Sequence, residues 1–214
     1  MSEINIQLVR EFFELNRFRV LTHWQHDEER RHGVESGLLL FVEQVGQETE
    51  GREAPGVLLD QRSVQGLQRA VVEVRAWHGD KFYPSVVESS PVLGHVASKE
   101  VRALAASVFG EQSVVSVLVI SELPGKAKLR TRTLELIQAM GVEHVLEFST
   151  MLASMLEKLS PQSNYAPSQT LQTLRLLKRY DLVQHQQLEF RFPLDPAPAL
   201  LNPPVDVAVD EPDD

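Results

Sequence analysis

The chain has 214 residues, of which 43 % are hydrophobic and 24 % charged, and it contains no cysteine. That composition describes one globular domain, or one domain with an appendage. It excludes disulfides and thiolate chemistry.

The net charge of −9 is unevenly placed. Asp195, Asp206, Asp210, Glu211, Asp213 and Asp214 follow residue 194 with no Lys or Arg among them, which leaves 24 acids against 21 bases, or −3, for residues 1–194. The acidity belongs to the tail. A protein whose main task is nonspecific gripping of nucleic acid is not expected from this balance, although a local basic groove remains open. No apolar run approaches the length of a bilayer span, and Met1-Ser2-Glu3 lacks the regions of a signal peptide. The expectation is no membrane association and a cytoplasmic location, which the missing cysteines also fit.

Taken in order, Ile4 to Phe18 repeats its apolar residues at three and four, with Glu11 and Glu14 along the flank, and predicts an amphipathic helix. Arg19 to Trp24 and Gly37 to Val42 have strand composition. Gly46 to Asp60 reads as a loop, with Val57-Leu58-Leu59 as a short extra strand or turn. A third strand covers Ala70 to Trp77. Tyr83-Pro84 to Ser90-Pro91 reads as a bent crossing, since both prolines interrupt regular elements. A helix follows from Ser98, its N-cap, to Phe109, and Gly110 ends it. Val114 to Ile120 is the most hydrophobic run and predicts a strand buried on both faces. Arg130 to Met140 predicts a helix closed by Gly141, Val142 to Phe148 a strand, and Thr150 to Leu159 a helix. Ser168 can cap a last helix from Gln169 to Tyr180 that docks through its leucines.

This order predicts an α/β protein: a three-layer mixed β-sheet with helices on both faces. Residues 1–160 form the main domain, 161–189 a linker and docking helix, and 190–214 a tail holding six of the twelve prolines. Such a tail is expected to stay disordered, because it buries too little to offset its ordering entropy.

The third strand carries the chemistry. Period-two alternation puts Val71, Glu73, Arg75 and Trp77 on one face and Val72, Val74 and Ala76 on the other. An acid and a cation therefore point the same way from a core strand, where charge is costly unless paired or used.

A helix, three strands, a helix and a strand, with Val72-Glu73-Val74-Arg75-Ala76-Trp77 in the third strand, resembles the PD-(D/E)XK nuclease superfamily of restriction endonucleases and Holliday-junction resolvases. The resemblance covers roughly residues 4 to 150 and implies a restriction-endonuclease-like α-β-β-β-α-β core. In that family a second-strand aspartate and a third-strand Glu-x-Lys hold Mg²⁺ against a phosphodiester. The metal there lowers the pKa of bound water and neutralises charge at phosphorus. A helix glutamate often completes the resolvase site, and dimers are common. The resemblance thus assigns Glu73, Arg75 and Glu14 to the catalytic positions.

Two positions depart from the family pattern. Gly37 stands where the aspartate is expected, so a metal would need Glu73 with Glu35, about 6.6 Å further along the strand at roughly 3.3 Å per residue, or with Glu14. Arg75 stands where the lysine is expected, and an arginine stays protonated and cannot act as a base. Together these predict a pseudoenzyme whose metal centre has become an ion pair and which acts by binding a protein partner, a second copy or nucleic acid. Two alternatives stay open: a Mg²⁺-dependent endonuclease with a displaced carboxylate, and an assembly protein without nucleic-acid contact. No small-molecule cofactor is expected, and Mg²⁺ only if the site is active.

Lys126, Lys128, Arg130 and Arg132 alternate ahead of and into a helix. They would contact phosphates, or they are simply its solvated approach. His23, His26 and His32 fit no closed zinc spacing.

Overall fold

Val71, Val72 and Val74 are β-branched and suit a strand buried on both sides. The segment Arg69–Arg75 forms β3, the middle of a five-stranded sheet. The computed structural model describes residues 3–22, 39–46 and 55–183. Glu35, Gly37, the three histidines at 23, 26 and 32, and the tail 190–214 lie outside the described residues.

The sheet runs in chain order: β1 (Phe18–Thr22), β2 (Leu39–Gln44), β3, β4 (Val115–Ile120) and β5 (His144–Glu147). β1, β2 and β3 are antiparallel neighbours, whereas β4 and β5 run parallel to β3. The chain is therefore α/β with a mixed sheet, as its pattern of runs predicts. Leu58 adds an isolated parallel bridge to Val145 of β5, at the place read as a short extra strand or turn.

Helices cover both faces. On one, α1 (Glu3–Leu15) and α5 (Phe148–Lys158) lay Val9, Phe12, Phe13, Met151 and Met155 on Leu40, Val42, Val72 and Val74. α6 (Gln169–Arg179) joins this layer through Leu171 and Leu174. On the other face lie α2 (Pro84–Glu88), a 3-10 helix (Pro91–Ala97), α3 (Lys99–Phe109) and α4 (Ala127–Ala139). Val87, Leu93, Val96, Val101 and Ile137 from these segments pack with Leu39, Phe41, Val71, Leu118 and Ile120.

The expected caps are in place. Ser98 accepts from the Val101 N–H at 3.2 Å and Ser168 from the Leu171 N–H at 3.0 Å. Gly110 and Gly141 stand just past α3 and α4 at φ of 72° and 90°, where a side chain would be strained. Pro84 and Pro91 differ from expectation. Each stands in the first turn of a short helix, where a proline's missing N–H costs nothing. The crossing is therefore helical rather than irregular.

Glu11 is buried, not on the flank. Its carboxylate accepts from Gln7 Nε2 at 2.6 Å and from the hydroxyls of Ser168 and Thr170 at the start of α6. The acid thereby holds α6 to α1 while sitting at the positive end of a helix. Glu11→Ala leaves both hydroxyls without their acceptor. An expected loss of about 2 kcal/mol should appear as a lower urea midpoint.

Candidate functional site

β3 places Glu73 and Arg75 two residues apart on the face covered by the 3-10 helix, and both are buried, at 0 % and 4 % exposure. Arg75 donates to Glu73 Oε1 from Nε at 2.9 Å and from Nη2 at 2.5 Å. The other carboxylate oxygen, Oε2, lies 3.1 Å from His95 Nδ1. Against the permanent charge of Arg75 the carboxylate acts as an acceptor, so the imidazole nitrogen facing it is the donor. Glu73 thus has a partner on each oxygen.

His95 reaches this position because its 3-10 helix packs tightly against α4. A Cβ on Gly94 would stand 3.1 Å from Met140 Cβ, closer than ordinary van der Waals contact. Leu93 and Val96 turn inward on either side, leaving the His95 side chain 25 % exposed. Sequence reasoning missed His95. Its available signal was Gly94 between buried apolar residues, which no strand or α-helix period organises.

A second buried carboxylate was also missed. Glu147 ends β5 and takes the Leu123 N–H at 2.8 Å and the Arg130 guanidinium. The register aligns Arg75 with Ile120 and Ile120 with Glu147, so Glu147 stands two strands from Arg75, about 9.6 Å at the usual strand spacing. It shares their face, two residues beyond Val145.

The four cations near α4 do not form one strip. The helix begins at Ala127, three residues ahead of the predicted start. At 100° per residue, Lys126 and Arg130 then share a side with the buried Thr133 and Ile137, while Lys128 and Arg132 turn away. Arg130 is engaged by Glu147, and Arg132 lies 3.6 Å from Glu135 in an exposed pair. Lys126 and Lys128 are exposed and have no carboxylate partner among the described residues.

Glu14 is placed apart from Glu73. It is half-exposed, paired with Arg10 at 2.9 Å one helical turn away, on the helix covering the opposite face of the sheet. The helix period identifies an apolar stripe, not the side of the sheet it meets. Among the described residues no group of three or more His, Asp or Glu side chains is arranged to hold a metal ion.

The C-terminal ends of β3, β4 and β5 gather a rigid set of loops. Ser121 donates to the carbonyls of Trp77 and Asp80 at 3.1 and 3.2 Å, and Phe82 N–H donates to Glu122 O at 2.9 Å. Asn5 ties Ala76 O and His78, whose ring meets Phe148 edge-on. A cleft of about 290 Å³ opens here, lined by His78, Asp80, Lys81, Tyr83, Ser121 and Glu122. A larger open groove, about 940 Å³, lies by the Asp60–Gly66 turn and the end of α5. Its charges are in structural use. Asp60 accepts from Ser63 and Arg62 N–H groups, which hold its carboxyl below the usual range. Burial pushes the Lys158 ammonium down while it donates to Asn16.

These features define a mixed α/β protein with a carboxylate–guanidinium–imidazole cluster inside its sheet. Comparisons with protein-family models, curated proteins and solved structures give no match for the chain.

Removing one member of a buried pair strands the other. Glu73→Ala is expected to destabilise the fold by about 3–5 kcal/mol, whereas Glu73→Leu with Arg75→Met should come out nearly neutral. Chemical denaturation of the single and double variants reads the difference.

Proposed function

We propose that the chain is a non-catalytic protein on a nuclease-like scaffold, working by binding nucleic acid rather than by cutting it. The observation carrying this reading is the saturation of Glu73: both carboxylate oxygens already have partners from the chain, and one partner is permanently charged. A hard divalent cation needs carboxylate oxygens and the waters around them. Here one oxygen is held by a guanidinium two residues away and the other by an imidazole. Glu147 is engaged in the same manner by Arg130 and a backbone N–H.

Support for binding comes from the C-terminal end of the parallel strands. In open α/β sheets ligands settle outside those strand ends. Lys126 and Lys128 stand exposed at that end, beside loops held by hydrogen bonds on several sides. A lysine contributes to phosphate contact as a point charge and makes binding salt-dependent.

A supercoiled-plasmid nicking assay under Mg²⁺ and Mn²⁺ titration, run beside Glu73→Ala, tests the absence of cutting. The expected outcome is no metal-dependent nicking. Nicking that Glu73→Ala abolishes would restore the hydrolase reading. A low-salt gel shift of the full chain and of residues 1–194 tests binding. A shift that fades with added salt, and strengthens when the acidic residues 195–214 are removed, is expected. No shift in either form overturns the nucleic-acid reading.

A further inference from the structure

We infer that the strand-end loops present a stacking platform, centred on Trp77, for an unpaired nucleobase of single-stranded nucleic acid. This rests on the nucleic-acid reading above and narrows it to one strand type.

Trp77 lies just past β3. One face of its indole is stacked on Phe82, with ring centroids 5.1 Å apart and planes within 9°. The residue nevertheless stays 42 % exposed, so its exposure belongs to the remaining face and edges. Tyr83, next to Phe82, is exposed to the same extent. A single surface aromatic needs no explanation. Here, however, the main chain carrying the ring is held from several sides. Its carbonyl accepts from Ser121, the preceding Ala76 carbonyl accepts from Asn5, and Phe82 beneath it is fixed by Glu122 O and by Thr133 Oγ1. A flat, wetted ring that already stacks on Phe82 and rises from a tied-down main chain suits stacking, because less freedom remains to be lost on contact.

Charge identifies the occupant. Thr133, which binds the Phe82 carbonyl, shares a side of α4 with Lys126 two turns earlier, about 10 Å along the axis. Lys126 thus adds exposed positive charge on the side of α4 tied to Phe82, and Lys128 extends that charge around the start of the helix. Lys81 adds less, being paired with Glu122 at 2.5 Å. Asp80 has no cationic partner among the described residues and opposes phosphate, so the strand's backbone runs along the α4 side. The Asp80 carboxylate is left to accept from an exocyclic amino group of a base. A duplex hides its base faces in its own stack, whereas a single strand offers them to aromatic rings.

The test uses the full chain carrying Trp24→Phe, which leaves Trp77 as the sole tryptophan. Its fluorescence is titrated at low salt with an unstructured oligonucleotide of about 12 residues and with a duplex of equal length. The single strand is expected to quench Trp77 and the duplex to leave it unchanged. Trp77→Ala, made in the natural Trp24 chain and followed by fluorescence anisotropy of labelled strands, should weaken single-strand binding at least tenfold and spare the duplex. Trp77→Tyr should recover most of the affinity, which separates stacking from a disturbed fold. Lys126→Ala with Lys128→Ala should weaken both ligands. Binding of both ligands with Trp77 emission and the Trp77→Ala affinity unmoved would overturn the platform and leave the nucleic-acid reading standing. Binding of neither ligand would overturn both the platform and the nucleic-acid reading.

Discussion

The carboxylate of Glu73 lies in the centre of a sheet, out of water, and the surrounding structure is arranged to answer that charge. A lone carboxylate there would be strongly disfavoured. Strand alternation brings Arg75 onto the same face, and a guanidinium can place two N–H groups on one oxygen. The second oxygen requires a donor from another element, and the 3-10 helix delivers His95. That delivery depends on the missing side chain at Gly94, which lets the segment press against the end of α4. Charge compensation and close packing are therefore one constraint here.

The sheet divides the molecule into two halves of different character. Its antiparallel half, β1 to β3, pairs neighbours in chain order, and its parallel half needs crossovers. Both crossovers, through α2 and α3 and through α4, lie on the Glu73 face. The loops that leave β3 and β4 consequently emerge together and are cross-linked by Ser121 and by the Phe82–Glu122 backbone bond. Glu147 secures the third strand end by taking Leu123 N–H and Arg130. The result is a firm rim of aromatic and basic side chains standing on a buried polar row.

Much of this was legible in the residues. The β-branched and leucine-rich runs announced all five strands, and Ser98, Ser168, Gly110 and Gly141 marked helix ends by capping chemistry. The pairing of Glu73 with Arg75 followed from alternation alone. Other features depended on information that a local pattern does not hold. Pro84 and Pro91 look like breakers in a linear reading, though at a first turn a proline starts a helix as readily as it stops one. The start of α4 carries no local signal because Lys126 supplies no side-chain cap, and the helix's earlier start distributes four cations over two sides. Glu14 and Glu11 show the same limit. Periodicity locates an apolar stripe, but what lies opposite a helix is decided by distant partners, for Glu11 by hydroxyls 157 and 159 residues away.

The tethering of α1 has a consequence for synthesis. Asn5 bonds to the carbonyl 71 residues on, Asn16 to Lys158 at a separation of 142, and Glu11 to Thr170 at a separation of 159. This helix leaves the ribosome before the other described elements, yet the last of its polar contacts cannot close until α6 has followed it. Until β2 and β3 have followed, its aromatic face, Phe12 and Phe13, has no sheet to lie against. Contacts of such long range slow the search for the native state, and an uncovered hydrophobic helix during that interval is the kind of surface that chaperones attend. The earliest of the described helices is thus the one completed last.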